Sequence, residues 1–364
     1  MGTARAYIGS FTSAGGRGIT VASVDPDSGA LTPLSATDAV PDPSYLALAP
    51  GGDVLYAVSE TDDGAAAALS VRGDSVQGHS VRGDSVRGHS VRGDVPSLIA
   101  PPAPVQGSGP THLALARGHL FTANYGSGSV SWLPLGPDAA PTPGRVLQHR
   151  GAGPDAERQE GPHAHQVLPA PSGGWILTVD LGTDTVGVRT LTDGVLRAHD
   201  EVALRPGSGP RHLAFHPDGR TVYVLGELAP TLTVCDWDPA AGRLAPRAEI
   251  PVLDGEPDGD AYPSEVVVAP DGRFVWTATR GQDVISVLAA DPDAADGSGL
   301  RLAATVDCGG HWPRDLALHP SGRFLYAANE RSGDVTWFTV DPDSGVPSRG
   351  GSVPAPAASC VIFG

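Results

Sequence analysis

The stretch Pro210-Arg211-His212-Leu213-Ala214-Phe215-His216-Pro217-Asp218-Gly219-Arg220-Thr221-Val222-Tyr223-Val224 decides the fold. A proline opens a short apolar strand, Pro-Asp-Gly turns the chain, and a second strand returns with alternating polar and apolar residues. The phrase recurs as Pro313-Arg314-Asp315-Leu316-Ala317-Leu318-His319-Pro320-Ser321-Gly322-Arg323-Phe324-Leu325-Tyr326-Ala327, and looser copies start at Pro43, Pro110, Pro162 and Pro263. From Pro110 onward the starts lie 52, 48, 53 and 50 residues apart. Short strands repeating at about 40 to 50 residues are the signature of propeller blades.

Each copy continues into a third and a fourth strand. After Glu227 comes Leu232-Thr233-Val234-Cys235-Asp236-Trp237, and then the turn Asp238-Pro239-Ala240-Ala241-Gly242. Asp25-Pro26-Asp27-Ser28-Gly29 and Asp341-Pro342-Asp343-Ser344-Gly345 repeat that turn, whose Asp and Gly are ordinary turn chemistry rather than a calcium loop. Residues 6–34 supply strands without a preceding proline-led strand, and Ser359-Cys360-Val361-Ile362-Phe363 is an orphan apolar strand at the other end. Pairing the two in one blade leaves no free edge there. The expectation is an all-β, seven-bladed β-propeller of four-stranded blades spanning 1–364 as one domain.

Residues 71–94 break the pattern. Val71-Arg72-Gly73-Asp74-Ser75-Val76-Gln77-Gly78-His79-Ser80 is followed by a near copy and by a third Val-Arg-Gly-Asp. This low-complexity insertion is expected in an outer hairpin or loop, since one Val every five residues builds no core. Its Arg-Gly-Asp triplets resemble an adhesion motif, but duplication of a ten-residue unit accounts for them.

The 48 Gly and 35 Pro would suggest disorder in an aperiodic chain. Here most fall in turns between strands. A net charge of −17 argues against nucleic acid or an anionic membrane as partner. The N-terminus enters a strand directly, and no segment nears the roughly 18 apolar residues of a membrane span, so a cytoplasmic protein is expected. Cys235, Cys308 and Cys360 have no metal-type spacing and sit in or beside apolar strand-like sequence, which predicts buried free thiols. No metal, cofactor or nucleotide motif is present.

Blade geometry turns positions into places. The residue after each opening proline and the residue closing the second strand are expected at one mouth of the ring. The first set is Ser44, Thr111, His163, Arg211, Ser264 and Arg314; the second is Glu60, Tyr125, Leu181, Glu227, Arg280 and Glu330. The copies from Pro162 to Pro313 thus gather His163, Arg211, Glu227, Arg280 and Arg314 into a pocket suited to a small anion. The structural alternative is that these groups merely tie blades together, Glu227 neutralising Arg211 or Arg280, with His212 and His112 as satisfied half-buried imidazoles.

Gly161-Pro162-His163-Ala164-His165, Asp180-Leu181-Gly182-Thr183-Asp184 and Gly209-Pro210-Arg211-His212-Leu213 with Phe215-His216-Pro217 resemble the seven-bladed propeller lactonase family over nearly the whole chain except 71–94. That family is known best for 6-phosphogluconolactonase activity and includes a fungal carboxy-muconate cyclase. The resemblance implies catalytic roles for His163, Arg211, Glu227 and Arg280. Thr279-Arg280-Gly281 stands where many members carry Asn-Arg-Gly. His165, His212, Arg314, His112 and Tyr125 are expected to bind substrate.

The implied reaction is metal-free hydrolysis of 6-phosphoglucono-δ-lactone, with no cofactor. It needs a base and a stabiliser for the oxyanion. Glu227 or His163 is the expected base. One of Arg211 and Arg280 is expected at the oxyanion, the other with Arg314 at the phosphate. A cycloisomerase or lactonase for another carboxylated or sugar lactone, and a non-catalytic propeller scaffold for protein partners, are the rival readings.

Overall fold

The computed structural model describes residues 4–71 and 95–364, so the insertion expected over 71–94 lies outside the described residues from position 72 onward. The described residues form seven antiparallel sheets arranged as the blades of a β-propeller. Blade one joins the two ends of the chain, in the order Ala358–Phe363, Arg5–Ser10, Ile19–Val24 and Leu31–Thr37. Ala6 pairs with Phe363 and Ile8 with Val361, so the ring closes by backbone hydrogen bonding and not by side-chain contact alone. Among the described residues the only helix is the 3-10 turn Thr12–Ala14, and none is long and apolar enough to cross a membrane.

Blade two is built on Leu46–Leu48, Val54–Ser59 and Ala65–Ser70, with Ser97–Leu98 and Ala103–Pro104 sharing its outer position. Blades three to seven each hold four consecutive strands, and their innermost strands are Pro110–Ala116, Ala164–Pro169, Pro210–Phe215, Tyr262–Val268 and Pro313–Leu318. Neighbouring innermost strands contact one another around the ring and line the central channel.

Among the described residues the buried apolar side chains form seven clusters in place of a single core, each shared by two adjacent blades. Trp276, Ile285 and Val287 of blade six, for example, pack against Leu325, Ala327 and Phe338 of blade seven. A blade therefore cannot bury its faces without both neighbours, which makes closure of the ring a condition of stability. Cys235, Cys308 and Cys360 are buried free thiols within these clusters.

A hydrogen bond seals most of these interfaces. An aromatic donor of one blade reaches the carbonyl of the turn before the outermost strand of the next: Tyr56 Oη to Ala139 O at 2.8 Å, Trp132 Nε1 to Gly194 O at 3.0 Å, Trp175 Nε1 to Pro239 O at 2.9 Å, Trp276 Nε1 to Gly345 O at 2.8 Å and Tyr326 Oη to Gly29 O at 2.8 Å. The Asp-Pro-Asp-Ser-Gly turns serve two of these contacts. Asp341 Oδ1 accepts from Ser344 N at 2.8 Å inside its own turn, and Gly345 adopts φ 70° so close to Phe274 that a Cβ would meet the ring at 2.5 Å. The turn is shaped to lie flat on the neighbouring blade.

Tyr326→Phe keeps the ring packing of this latch and removes its hydrogen bond, leaving the Gly29 carbonyl without its donor. Unfolding in urea is expected to show a loss of about 1 to 2 kcal/mol. An unchanged midpoint would show that the latch contributes nothing to closure.

Candidate functional site

The innermost strand of every blade carries one residue more than its partner strand. Pro210 pairs with Gly226 but His212 with Leu225, so Arg211 is the extra residue of a β-bulge. The same shift frees Thr111 between Pro110 and His112, His165 between Ala164 and Gln166, Ser264 between Pro263 and Glu265, Arg314 between Pro313 and Asp315, and Ser359 between Ala358 and Cys360. In blade two, Val58 N bonds Tyr45 O while Glu60 N bonds Asp42 O, which makes Ser44 the equivalent. Strict alternation would send consecutive side chains to opposite faces. The bulge instead lets Ser44 and Tyr45, Arg211 and His212, and Arg314 and Asp315 line one cavity together.

Two cavities follow one another down the channel. The outer one, about 200 Å³, is lined by Glu60, Thr111, Tyr125, Arg158, His165, Glu227, Arg280 and Arg314. The inner one, about 10 Å³, shares Glu60, Thr111 and Arg314 with it and adds Arg211, His212, Glu265 and Asp315 among others.

Glu227 is the hub of the outer cavity. Its Oε1 accepts from Arg158 Nη2 at 2.6 Å, and its Oε2 lies 2.9 Å from Arg280 Nη2 and 3.1 Å from Arg211 Nε. Burial opposes ionisation of this carboxyl, but Arg280, Arg211 and Arg158 outweigh it and hold the pKa at about 2. Arg211, buried and beside Arg280, falls to about 10 and stays charged at neutral pH. Arg280 also donates through Nε to Tyr262 O at 3.1 Å and lies over the Trp312 ring. Arg314 reaches Glu60 at 3.5 Å and Glu330 at 3.4 Å and covers Phe11. Four arginines face three carboxylates, a local surplus of positive charge in a chain whose net charge is −17.

Tyr125, Glu227, Arg280 and Arg314 of the sequence-derived set line the outer cavity, and Arg211 meets it through Glu227. His163, expected to be catalytic, lies outside both cavities, whereas His165, expected to bind substrate, holds the bulge and lines the outer one. Counting one residue past the proline selects His163, but in this blade Ala164 takes the slot that proline fills elsewhere, and the bulge falls on His165. His163 does not line either cavity: its ring stacks on Tyr125, Nδ1 faces Tyr125 O at 3.0 Å and Nε2 faces Glu160 at 3.2 Å. His165 lines the outer cavity with Nε2 3.9 Å from Glu227, and burial followed by Arg211 drives its pKa well below the usual histidine value. His112 and His212 lie deeper, each 2 % exposed, with ring centroids 5.4 Å apart.

Arg158 is a site residue the repeat could not reveal, because it belongs to no blade. It sits in the connector between Arg145–Gln148 and Ala164–Pro169, shaped by Asp155, whose Oδ1 accepts from Arg158 N at 3.0 Å, and by Gln159 Nε2 on Leu181 O at 2.8 Å. A 15-residue link (149–163) from the rim of one blade to the channel strand of the next must cross the mouth, and its charged residues are the available signal.

Comparison with known proteins matches residues 5–363 to the family model described as lactonase, seven-bladed beta-propeller. The chain is 32% identical to the 6-phosphogluconolactonase of Bacillus subtilis over 313 residues, 84% of this chain and 82% of that one. A solved periplasmic gluconolactonase from Pseudomonas aeruginosa superposes with a TM-score of 0.87 at 28% identity, covering 100% of this chain and 99% of that one. A protein from Lactobacillus plantarum gives 0.86 at 26% identity, covering 100% and 99%.

The depressed pKa of Glu227 sets a sign for acid stability. Its ion pairs stabilise the fold fully above the ordinary carboxylate value of 4.5, and the contribution drains away as pH falls toward about 2. Glu227→Gln is expected to destabilise at pH 7 and to flatten the loss between pH 7 and 3.5, a difference of about 1 to 2 kcal/mol over that range. Parallel urea curves for both proteins across that range would contradict the assignment.

Proposed function

The chain belongs to the seven-bladed β-propeller lactonase family, and on that premise we propose that it hydrolyses 6-phosphoglucono-δ-lactone to 6-phosphogluconate. The outer cavity carries this reading. It is smaller than the roughly 300 Å³ at which drug-sized pockets begin, which suits a single sugar ring. Its surplus cations and planar guanidinium groups suit an oxyanion at one end and a phosphate at the other.

Arg280 and Arg211, pre-positioned by Glu227, sit deepest and stabilise the carbonyl oxygen as it gains charge. Arg158, whose side chain is 35% exposed, and Arg314 face the phosphate. Glu227 is the anchor of this cluster and not its base, because both its oxygens are engaged, Oε1 by Arg158 and Oε2 by Arg280 and Arg211. His163 is displaced from that role by its position behind Tyr125. The same arginines would accept a carboxylate in place of the phosphate, so a panel including carboxylated lactones separates the two substrate classes.

Freshly generated 6-phosphogluconolactone, followed against its spontaneous opening, provides the test. Arg211→Ala is expected to lower kcat/KM by about 100-fold or more. Arg158→Ala is expected chiefly to raise KM for the phosphorylated lactone and to leave unphosphorylated glucono-δ-lactone unaffected. Wild-type protein that accelerates no lactone in the panel would sink the reading.

A further inference from the structure

Beneath the arginine cluster lies a group of buried titratable side chains with no part in the chemistry so far assigned. His212 Nδ1 lies 2.7 Å from Glu265 Oε2. Glu265 Oε1 accepts from Val266 N at 2.9 Å, and Asp315, hydrogen-bonded to Glu265, accepts from Val361 N at 2.7 Å. His212 lines the inner cavity, and its Nε2 meets no hydrogen-bond partner among the described residues. Ser44 Oγ and Ser359 Oγ, in the same wall, are likewise unpartnered, and these residues are at most 4% exposed. A cavity of about 10 Å³ with such unpaired polar atoms in its walls is the size and chemistry of a site for one water. Buried polar atoms of this kind ordinarily find a partner.

We infer that this inner cavity holds the hydrolytic water and that His212 Nε2 is its general base, with Glu265 positioning the imidazole through the Nδ1 proton. The inference rests on the lactone-hydrolysis reading. The shared walls at Glu60, Thr111 and Arg314 connect the water to the outer cavity, where the lactone carbonyl sits. As the water oxygen attacks the carbonyl carbon, its proton passes to His212 Nε2 and the carbonyl π pair becomes the oxyanion facing Arg280 and Arg211. Collapse re-forms the carbonyl and breaks the ring C–O bond, and the proton on Nε2 goes to the departing ring oxygen. The carboxylic acid product releases its own proton to solvent.

His212 is favoured over His165 because a base needs its second nitrogen held in one tautomer. His165 Nε2 stands 3.9 Å from Glu227 and its Nδ1 has no partner, so nothing fixes which nitrogen carries the proton. The surroundings keep His212 neutral: burial acts first, then Arg211, with Arg314 and Arg280 adding to it and Glu227 opposing. His112 and His165 also face it and are themselves held neutral by burial. Around Glu265, burial pushes the carboxyl up to about 7 against the pull of Arg211. Beside it, burial shifts Asp315 and Tyr45 upward, toward their protonated forms. Glu265 is thus ionised, and able to hold the Nδ1 proton, only as pH rises through about 7.

Nitrogen-15 NMR of histidine-labelled full-length protein at pH 8, with the His212 signals assigned by their loss in His212→Gln, is expected to show the proton on Nδ1 and a bare Nε2. A proton on Nε2 overturns the inference whatever the activity. In the lactone assay, kcat is expected to climb through about pH 7 in the wild type. Glu265→Gln, which presents an amide to Nδ1, is expected to lose that limb and about 100-fold or more in kcat. His212→Gln is expected to lose as much while its affinity for 6-phosphogluconate, measured by calorimetry, stays within about threefold and shows that the site is folded. His212→Gln turning over near the wild-type rate would overturn the base and leave the lactonase reading standing. Wild type without any lactone acceleration would overturn both.

Discussion

One additional residue in the channel strand of each blade is the constraint from which the site follows. A regular strand would give the channel every second side chain, and the ring of seven would close over a plug of alternating residues. The bulge turns two consecutive side chains inward at one level, so Arg211 and His212, or Arg314 and Asp315, address the same space. Among the bulged residues His165 faces the outer cavity, Thr111 and Arg314 face both, and Ser44, Arg211 and Ser359 face the inner one beside His212, Glu265 and Asp315.

The two levels differ in electrostatic character. At the outer level Glu227 gathers Arg158, Arg211 and Arg280 into one cluster that would otherwise repel itself apart. Three cations on one carboxylate leave unspent donor capacity directed at whatever enters. At the inner level burial without an abundance of countercharge drives histidines and carboxyls toward their neutral forms. Charged groups thus dominate the outer level and neutral titratable groups the inner one.

The repeat made the architecture legible in advance, because proline-led strands at near-constant spacing encode blades whatever their side chains do. Arg211, Glu227, Arg280 and Arg314 were legible for the same reason, each standing at an equivalent point of its copy. His165 was expected to bind substrate, but its place at the bulge was not legible, since the proline that marks the channel strand in other blades has slipped two residues upstream, to Pro162, and counting from it lands on His163. Arg158 lies in a connector without a repeat to place it. Glu265 is two residues past Pro263 in a run of apolar strand sequence, and only its contact with His212 across the channel gives it meaning. Positions fixed by backbone periodicity can be read from one copy to the next; partnerships across the ring depend on which blades face each other.

Such a channel is tolerable because the stability of the molecule is stored elsewhere. Buried polar atoms without partners, such as His212 Nε2, Ser44 Oγ and Ser359 Oγ, each weaken a fold when they stand in its only core. Here the apolar clusters lie between blades, and the aromatic latches sit at the turns before the outermost strands. The channel carries none of that packing. Separating closure from chemistry leaves the centre of the ring free to hold groups chosen for their proton affinity and charge, at a cost the seven interfaces absorb jointly.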